Sequence, residues 1–270
     1  APKEYSFNEE DVSDKPEWVR KKAALNDDDI RAIDDLYRKR KASLLGLADL
    51  VEQVIDTLLL NGQLDDTYIF FSSDNGFHQG QHRLNSGKTT AYEEDIHLPL
   101  VVRGPGVAEG SYVDAMTANV DYAPTFAEIA GIGVPEFVDG RSLLPFLKGD
   151  APKKWRRGLL LEYGGPSSIT PAHDNPLFEE QDPFDVQMLA DIKSTTPAFS
   201  GIRIQHQETS LLYIEYDSGE REFYDMKQDK FQTNNSFTSL DNQKRENLSH
   251  WVNSRQDCNL FKETLDLTLK

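Results

Sequence analysis

Length, composition and charge limit what this chain can be. Its 270 residues are 38% hydrophobic, which is enough to bury a sizeable core. It carries 46 acidic and 29 basic side chains, a formal net charge of −17. This charge argues against binding to nucleic acid or to an anionic membrane, and no stretch of roughly 18 apolar residues predicts a membrane span. The single cysteine, Cys258, builds no disulfide framework on its own.

The first sixty residues predict a polar segment followed by one long helix. Residues 1–25 contain two prolines and several charges and are expected at the surface. Asn26 is a suitable cap for a helix that ends at Asn61. The basic run Arg38–Lys41 within this helix predicts a solvated face rather than a partner site. Apolar residues at three- and four-residue spacing predict the inward face, namely Ile30, Ile33, Leu36, Tyr37, Leu44, Leu47, Val51, Val54, Ile55 and Leu58.

The next stretch places oxygen donors at the end of a strand. Tyr68–Phe71 is a short aromatic and β-branched run, typical of a strand that is buried on both faces. Asp74, Asn75 and Gly76 end it, and ligands of open α/β sheets bind beyond the carboxyl ends of strands. A carboxylate oxygen beside an amide oxygen suits a hard divalent cation such as calcium. Two donors are too few to hold the ion alone.

Further strands and helices alternate up to residue 165. Leu98–Val102 predicts a second short buried strand, and Arg157–Tyr163 predicts a third. Between them, Asp121 is a plausible cap for a helix that has Pro124 in its first turn and continues to Ala130. Such alternation predicts the α/β class, with a parallel or mixed sheet covered by helices.

The rest of the chain divides into an irregular segment and a small sheet. Residues 166–198 are rich in proline and acidic residues and predict a long loop or insertion. Such a segment either borders a binding cleft or is a flexible surface excursion. A helix over Leu240–Arg255 is expected to pack on an antiparallel meander with Leu248 and Trp251 facing inward. The three strands predicted for the meander are Gly201–His206, Leu211–Tyr216 and Arg221–Asp225.

Several motifs occur together in one order: Ser72–His78, Gly87–Thr90, Tyr92–Leu100, Arg103–Gly106, Asn119–Ile132, Asp139–Leu147 and Gly219–Asp225. Jointly they resemble the carboxyl-terminal half of a type I, arylsulfatase-like sulfatase of the alkaline phosphatase superfamily. The resemblance implies a mixed, mainly parallel sheet sandwiched by helices over residues 1–165. It further implies the insertion over 166–198 and a small antiparallel α+β subdomain over 199–270.

The resemblance also implies roles for individual residues. Asp74 and Asn75 match the second pair of calcium ligands, and Lys88 matches the lysine that grips the sulfate ester. His78 lies where an imidazole is able to hydrogen-bond an ester oxygen or assist proton transfer. The alternative is that His78 and Arg83 are ordinary loop residues, or that Lys88 is a solvated surface lysine.

The nucleophile that such an enzyme requires does not occur in this sequence. Type I sulfatases use a formylglycine made from a Cys/Ser-x-Pro-x-Arg motif, whereas Cys258 is followed by Asn-Leu-Phe-Lys and no serine fits. The first aspartate pair is also absent, because Asp27–Asp29 and Asp65 with Asp66 precede apolar segments rather than follow them. The formylglycine and the remaining calcium ligands are therefore expected in an amino-terminal half, and this chain alone is expected to be inactive.

Three functional hypotheses follow from the resemblance. The first is hydrolysis of a sulfate ester, with this chain supplying part of the calcium site and the sulfate-binding lysine. The second is hydrolysis of a phosphate or phosphonate monoester, since the superfamily uses similar metal-bound oxygens. The third is a non-catalytic product, either a truncated or processed half or a calcium-binding remnant. Ala91 and His97 depart from the usual family residues, which leaves the alcohol that carries the sulfate open.

Two other site motifs do not fit their spacing. Six residues separate Gly80 from Gly87, where a phosphate-binding P-loop requires about four. His78 and His82 have the spacing of helical zinc ligands, but the glycines around them disfavour a helix. The sequons at Asn234 and Asn247 are compatible with a secreted glycoprotein or a secretory-pathway lumen.

Overall fold

Helices and strands alternate in the computed structural model, which describes residues 1–165 and 196–253. Contacts divide the described chain into two compact units. The first unit combines Ala1–Tyr37, Asn75–His97 and the described part of Leu160–Asn253, and the second combines Arg38–Asp74 with Leu98–Leu159.

The helices are α1 Glu17–Arg20, α2 Asp27–Leu60, α3 Glu93–Ile96, α4 Tyr122–Ile129, α5 Leu144–Leu147 and α6 Asn242–Asn253. The strands are β1 Ile69–Ser72, β2 Leu100–Arg103, β3 Gly158–Tyr163, β4 Phe199–His206, β5 Thr209–Tyr216 and β6 Arg221–Asp225.

The first unit contains the predicted antiparallel meander and its helix. The prediction that Arg157–Tyr163 belongs to the larger α/β sheet was wrong, since this strand, β3, lies beside β4 in a four-stranded sheet. The strands have the order β3-β4-β5-β6, and β5 pairs antiparallel with both β4 and β6. The central strand β5 contributes Leu212 and Ile214, both fully buried, to the core. Leu248 of α6 faces inward as predicted, but its buried partner is Val252 rather than the half-buried Trp251, because Val252 lies one full turn further on. The α/β class with a small antiparallel subdomain is confirmed.

The amino-terminal segment is part of the interior of this unit. The prediction of a polar surface segment over residues 1–25, anchored by Trp18 and Val19, was wrong for its polar residues, since Ser6 and Lys15 are 0% exposed. Val19 is buried as expected of an anchor. Polarity misled the prediction because the buried polar groups have partners, as when Lys15 Nζ lies 3.3 Å from Glu9 Oε1. Buried charges are tolerated when they are paired in this way.

A buried carboxyl group joins the sheet to the segment over residues 75–92, here called the motif loop. Glu222 is 0% exposed, and the hydroxyl groups of Tyr92, Tyr216 and Tyr224 all donate to its carboxylate. Burial raises the pKa of the Glu222 carboxyl above its ordinary value, although the three hydroxyl donors oppose that shift. The Lys15 ammonium lies 5.3 Å from the centre of the Tyr224 ring. One polar cluster therefore ties the amino-terminal segment, the motif loop and β6 together.

The capping prediction for α2 is confirmed. Asn26 Oδ1 accepts hydrogen bonds from the backbone N–H groups of Asp28 at 2.8 Å and Asp29 at 3.1 Å. The Asp29 carboxylate accepts the Asn26 N–H at 3.0 Å in return, which gives a reciprocal cap. Arg38–Lys41 is exposed as predicted.

The second unit pairs β1 with β2 in antiparallel register, Ile69 opposite Arg103 and Ser72 opposite Leu100. The prediction of mainly parallel pairing is not met by the described strands. A parallel pair needs a long crossover helix, whereas the chain between β1 and β2 contains only the four-residue α3 and returns in the opposite direction. The prediction that Tyr68–Phe71 is buried on both faces was also wrong, because Phe71 is 40% exposed. The second strand was predicted to be buried, but its Val101 is 63% exposed.

An apolar groove of about 630 Å³ lies beside these strands within the second unit. Its walls come from one face of α2 and from β1 and β2, and include Leu44, Leu47, Val51, Ile69, Phe71 and Val101. The apolar face that periodicity predicts for α2 therefore exists, but Leu44 is 56% and Val54 45% exposed. A contiguous exposed apolar surface of this kind is unusual on a monomeric soluble protein.

A buried ion pair organises the second unit around the start of α4. Asp121 lies just before the helix, as predicted, but its side chain does not cap it. The carboxylate instead accepts the Ala118 and Arg141 N–H groups at 2.9 and 2.8 Å, and both terminal nitrogens of Arg156. Asp121 is 0% and Arg156 9% exposed. The bidentate pair thus joins α4 to the segment before β3.

We expect Arg156→Met to lower the free energy of unfolding by about 3–5 kcal/mol, because it leaves the Asp121 carboxylate buried without its cation. Arg103→Met is the matched control, since Arg103 pairs with Asp65 at 3.2 Å on the surface. Such exposed pairs contribute less than about 1 kcal/mol. Urea denaturation of both variants measures the difference. Equal losses from the two variants would contradict the organising role of the buried pair.

Candidate active site

Asp74 follows β1 in the second unit. Its side chain is exposed, and Ser73 Oγ lies 3.5 Å from its Oδ1. Its backbone carbonyl accepts a hydrogen bond from Asn119 Nδ2 at 3.1 Å. That bond anchors the end of the strand to the segment just before α4, so Asp74 is an exposed residue at the strand end, where the sequence predicts a ligand.

In the first unit, the segment from Asn75 onward lies directly against α3. The Gly76 N–H donates to Asp95 O at 2.9 Å, and the Phe77 N–H donates to Glu94 O at 2.8 Å. A Cβ on Gly76 would lie only 2.0 Å from Glu94 O. Only glycine permits this close approach of two backbones, which explains why the turn carries it.

Lys88 and Asn75, two predicted site residues, are in contact. Lys88 Nζ donates to Asn75 Oδ1 at 3.0 Å, and both side chains are partly buried. Asn75 Nδ2 donates to Gly76 O at 2.8 Å, which fixes the orientation of the amide. The amide oxygen is therefore directed toward the lysine, whose ammonium is held in one place despite its flexible stem.

His78 is buried, and a residue that the sequence did not single out holds it. It is 6% exposed, its Nδ1 lies 3.0 Å from both carboxylate oxygens of Asp95, and its N–H donates to Asp95 Oδ1 at 3.0 Å. Thr90 donates to the same carboxylate through its N–H at 2.9 Å and its hydroxyl at 2.7 Å. Nothing in the sequence distinguishes Asp95 from the neighbouring acids Glu93 and Glu94.

His82 and Arg83 have structural contacts instead of facing a ligand. Arg83 Nε donates to Glu9 O at 2.7 Å and Nη2 to Glu10 O at 2.5 Å, so that the guanidinium clamps the amino-terminal segment. His82 is 0% exposed, lies 2.6 Å from Glu9 Oε2 through Nδ1, and stacks on Tyr92. Burial lowers the pKa of His82 to about 3, which keeps its imidazole neutral.

The donors at Asp74 and Asn75 fit part of a calcium site by their chemistry. A carboxylate and an amide oxygen are hard ligands of the kind that calcium prefers. Calcium takes about six to eight oxygens. Over residues 1–165 and 196–253, no group of three or more His, Cys, Asp or Glu side chains is placed to hold a metal. The pair therefore fits as a fraction of a site.

Comparison with known proteins places these motifs in one family. The family model described as Sulfatase matches residues 2–132. The chain is 33% identical over 267 residues to N-acetylglucosamine-6-sulfatase of Bos taurus, an alignment that covers 96% of this chain and 47% of that protein. Relatives also include an extracellular sulfatase homologue of Drosophila melanogaster.

Two solved structures are similar to the described fold. One is a protein in complex with its substrate D-glucosamine-2-N,6-O-disulfate; it is 29% identical, with a TM-score of 0.64 over 82% of this chain and 40% of that chain. The other is a phosphonate monoester hydrolase from Silicibacter pomeroyi, 28% identical, with a TM-score of 0.56 over 82% of this chain and 39% of that chain.

The fold and motifs define an α/β protein of the alkaline phosphatase superfamily. Within that superfamily, the chain belongs to the sulfatase family. It spans about half the length of the curated relatives it matches. In the part of the chain that the structure describes, no helix is both long and apolar enough to cross a membrane.

We expect Gly76→Ala to destabilise the protein by about 1–3 kcal/mol, because the added methyl group meets a backbone carbonyl that has no room to move. Gly46→Ala is the control, since nothing lies within 4 Å of a Cβ at Gly46, which is in the exposed part of α2. That change is expected to stabilise by up to about 1 kcal/mol through helix propensity. Urea denaturation should give opposite signs for the two variants, and the same sign in both would refute the close-approach explanation.

The low pKa of His82 predicts a pH dependence of stability. The unfolded imidazole gains a proton below about pH 6.5 and the folded one only near pH 3. The contribution of neutral His82 to the free energy of unfolding is therefore fully present above pH 6.5 and is lost as pH falls toward 3. Glu9 acts in the opposite direction, since burial raises its pKa to about 7, so its contribution is lost as pH rises through 7.

His82→Gln removes the titrating group. The variant should lose about 2 kcal/mol less stability than the parent between pH 7 and pH 5, where the parent must protonate His82 on unfolding. His97→Gln is the control, because the His97 side chain is 78% exposed. Urea denaturation at both pH values measures the effect. Parallel pH dependences of parent and His82→Gln would show that His82 does not titrate as described.

Proposed function

We propose that this chain supplies the carboxyl-terminal half of a sulfuric ester hydrolase. The contact between Lys88 and Asn75, at 3.0 Å, is the observation that carries the proposal, because it fixes a cation on a residue whose amide oxygen suits calcium. Family membership gives the contact its chemical meaning. The domain division at residues 165 and 198 is part of the same proposal.

In the proposed mechanism, each residue acts on the sulfate ester or on its charge. Asp74 and Asn75 would contribute oxygens to a calcium ion, whose chemistry is to neutralise negative charge around the sulfate. Lys88 binds the ester oxygens and stabilises charge that develops on the bridging oxygen as the S–O bond breaks. His78 assists proton transfer through Nε2. The nucleophile is proposed to lie in the amino-terminal half.

The proposed substrate is a sulfate ester on O6 of a glucosamine. Two similarities support it: the bovine relative is an N-acetylglucosamine-6-sulfatase, and the solved complex contains D-glucosamine-2-N,6-O-disulfate. An anionic sugar must approach a chain with a net charge of −17. A locally positive site is therefore required, and a metal ion with Lys88 would provide it.

We further propose that the amino-terminal half covers the apolar groove of the second unit. The groove is apolar along α2 and along one face of the β1–β2 pair, and the curated relatives are about twice as long as this chain. Folding against that half would remove Phe71 and Val101 from water, which is favourable by about 25 cal/mol per Å² of apolar surface. An extracellular relative and the exposed sequon at Asn234 support a secretory location.

The test is sulfate release by the polypeptide that carries this chain, with glucosamine 6-sulfate and an aryl sulfate as substrates. Lys88→Ala should lower kcat/KM by about 10²–10³-fold, since it removes a charge that the transition state needs more than the ground state does. Lys227→Ala is the control, a half-exposed lysine paired with Glu208 at 2.6 Å, and should leave activity unchanged.

Two outcomes would overturn the proposal. One is faster hydrolysis of a phosphonate monoester than of either sulfate, which would favour the second enzymatic hypothesis, consistent with the Silicibacter pomeroyi similarity. The other is full activity of Lys88→Ala, which would make Lys88 a surface lysine. Removal of calcium with a chelator should abolish sulfate release, and restored activity on adding calcium separates metal loss from unfolding.

A further inference from the structure

Asp95 joins the two segments that carry the candidate site. It is 6% exposed, and its carboxylate accepts the N–H and Nδ1 of His78 and the N–H and hydroxyl of Thr90, all within 3.0 Å. Its backbone carbonyl accepts the Gly76 N–H at 2.9 Å. One residue of α3 thus holds the loop after Asn75 and the segment after Lys88 at the same time.

The donors around Asp95 determine which ring nitrogen of His78 carries a hydrogen. Two of them are backbone N–H groups, which only donate, and they occupy both carboxylate oxygens. A carboxylate so surrounded acts only as an acceptor, so the facing Nδ1 of His78 carries a hydrogen. In the neutral imidazole, Nε2 is then the bare nitrogen, on the ring edge away from Asp95.

Gly87 lies close to that nitrogen. A Cβ on Gly87 would lie 3.0 Å from His78 Nε2, closer than nearly all real contacts. The two residues also form a backbone bridge, with His78 N–H to Gly87 O at 2.9 Å and Gly87 N–H to His78 O at 3.0 Å. Because Gly87 immediately precedes Lys88, the bridge and the Thr90 contacts fix the lysine from both sides.

We propose that Asp95 is a positioning residue that sets the Nδ1–H tautomer of His78 and holds the Lys88 segment through Thr90. The inference rests on the proposed function, because it assumes that Nε2 accepts a proton during the reaction. Asp95 does not touch the substrate. It acts through His78 and Lys88, much as a buried carboxylate orients the imidazole in hydrolases that use a histidine base.

The test variant is Asp95→Asn, which keeps the shape but replaces one acceptor oxygen by an N–H₂ donor. Asp229→Asn is a matched control in the same unit, because Asp229 accepts the same donor types: the Thr233 and Asn234 N–H groups at 3.0 and 2.8 Å and the Thr233 hydroxyl at 3.3 Å. The two variants lose comparable hydrogen bonds, so a purely structural role would affect both alike.

Two measurements decide the question. Nitrogen-15 NMR of histidine-labelled protein should show hydrogen on Nδ1 of His78 in the parent and in Asp229→Asn, and on Nε2 in Asp95→Asn. Steady-state kinetics should show kcat lower by at least about 10²-fold in Asp95→Asn with KM changed less than about threefold, as expected when a tautomer is inverted.

An unchanged tautomer in Asp95→Asn, or equal kinetic losses in both variants, would overturn the inference and leave the proposed function standing. The proposed function fails separately if the parent polypeptide releases no sulfate. In that case, the NMR measurement still decides whether Asp95 sets the tautomer of His78.

Discussion

The close approach of two backbones at Gly76 is the constraint on which the candidate site depends. The hydrogen bonds from Gly76 to Asp95 and from Phe77 to Glu94 place the loop after β1 flat against α3. They need a residue without a Cβ, since any side chain at Gly76 would collide with the Glu94 carbonyl. Once this contact forms, Asn75 is directed toward Lys88 and His78 comes within reach of the Asp95 carboxylate. The placement of the candidate site residues Asn75 and His78 therefore depends on the absence of a side chain at Gly76.

The interior that supports this contact is unusually polar. Glu9, Lys15, His82 and Glu222 are all buried in the first unit, where isolated charges would be strongly unfavourable. Their mutual contacts and the three tyrosine hydroxyl groups on Glu222 compensate for the lost water. Such a network is sensitive to the loss of any member, because each removal leaves a partner buried and unsatisfied. The amino-terminal segment is therefore a structural requirement for the motif loop.

Sequence patterns predicted the local elements well and the environment of those elements poorly. The cap at Asn26, the helix after Asp121 and the meander after residue 199 follow from short-range chemistry, and the structure has all three. The burial of residues 1–25 depends on partners far away in sequence, such as the Asn235 side chain, which donates to Asp14 O. Periodicity also predicted which face of α2 is apolar, but not that this face is uncovered within the second unit.

The same distinction applies to the candidate site. The resemblance to sulfatases singled out Lys88 and Asn75, and the structure places them in contact. Asp95 was not predicted, because three consecutive acids in α3 look alike in a sequence, although the third is the most buried of them. The predicted insertion over residues 166–198 lies largely outside the described residues and remains a prediction. Cys258 also lies outside them.

Charge compensation separates Lys88 from two other cations of the structure, Lys15 and Arg156. The charge of Lys15 faces Glu9 and Asp14, and that of Arg156 faces Asp121, so neither attracts an added anion strongly. Lys88 donates instead to the amide oxygen of Asn75, a neutral acceptor, which orients the ammonium without cancelling its charge. In a protein whose overall field repels anions, a tethered cation with uncancelled charge is what an anion-binding site requires. The amide that orients the lysine belongs to a residue that we propose as a calcium ligand, so in that proposal one side chain contacts both the lysine and the metal.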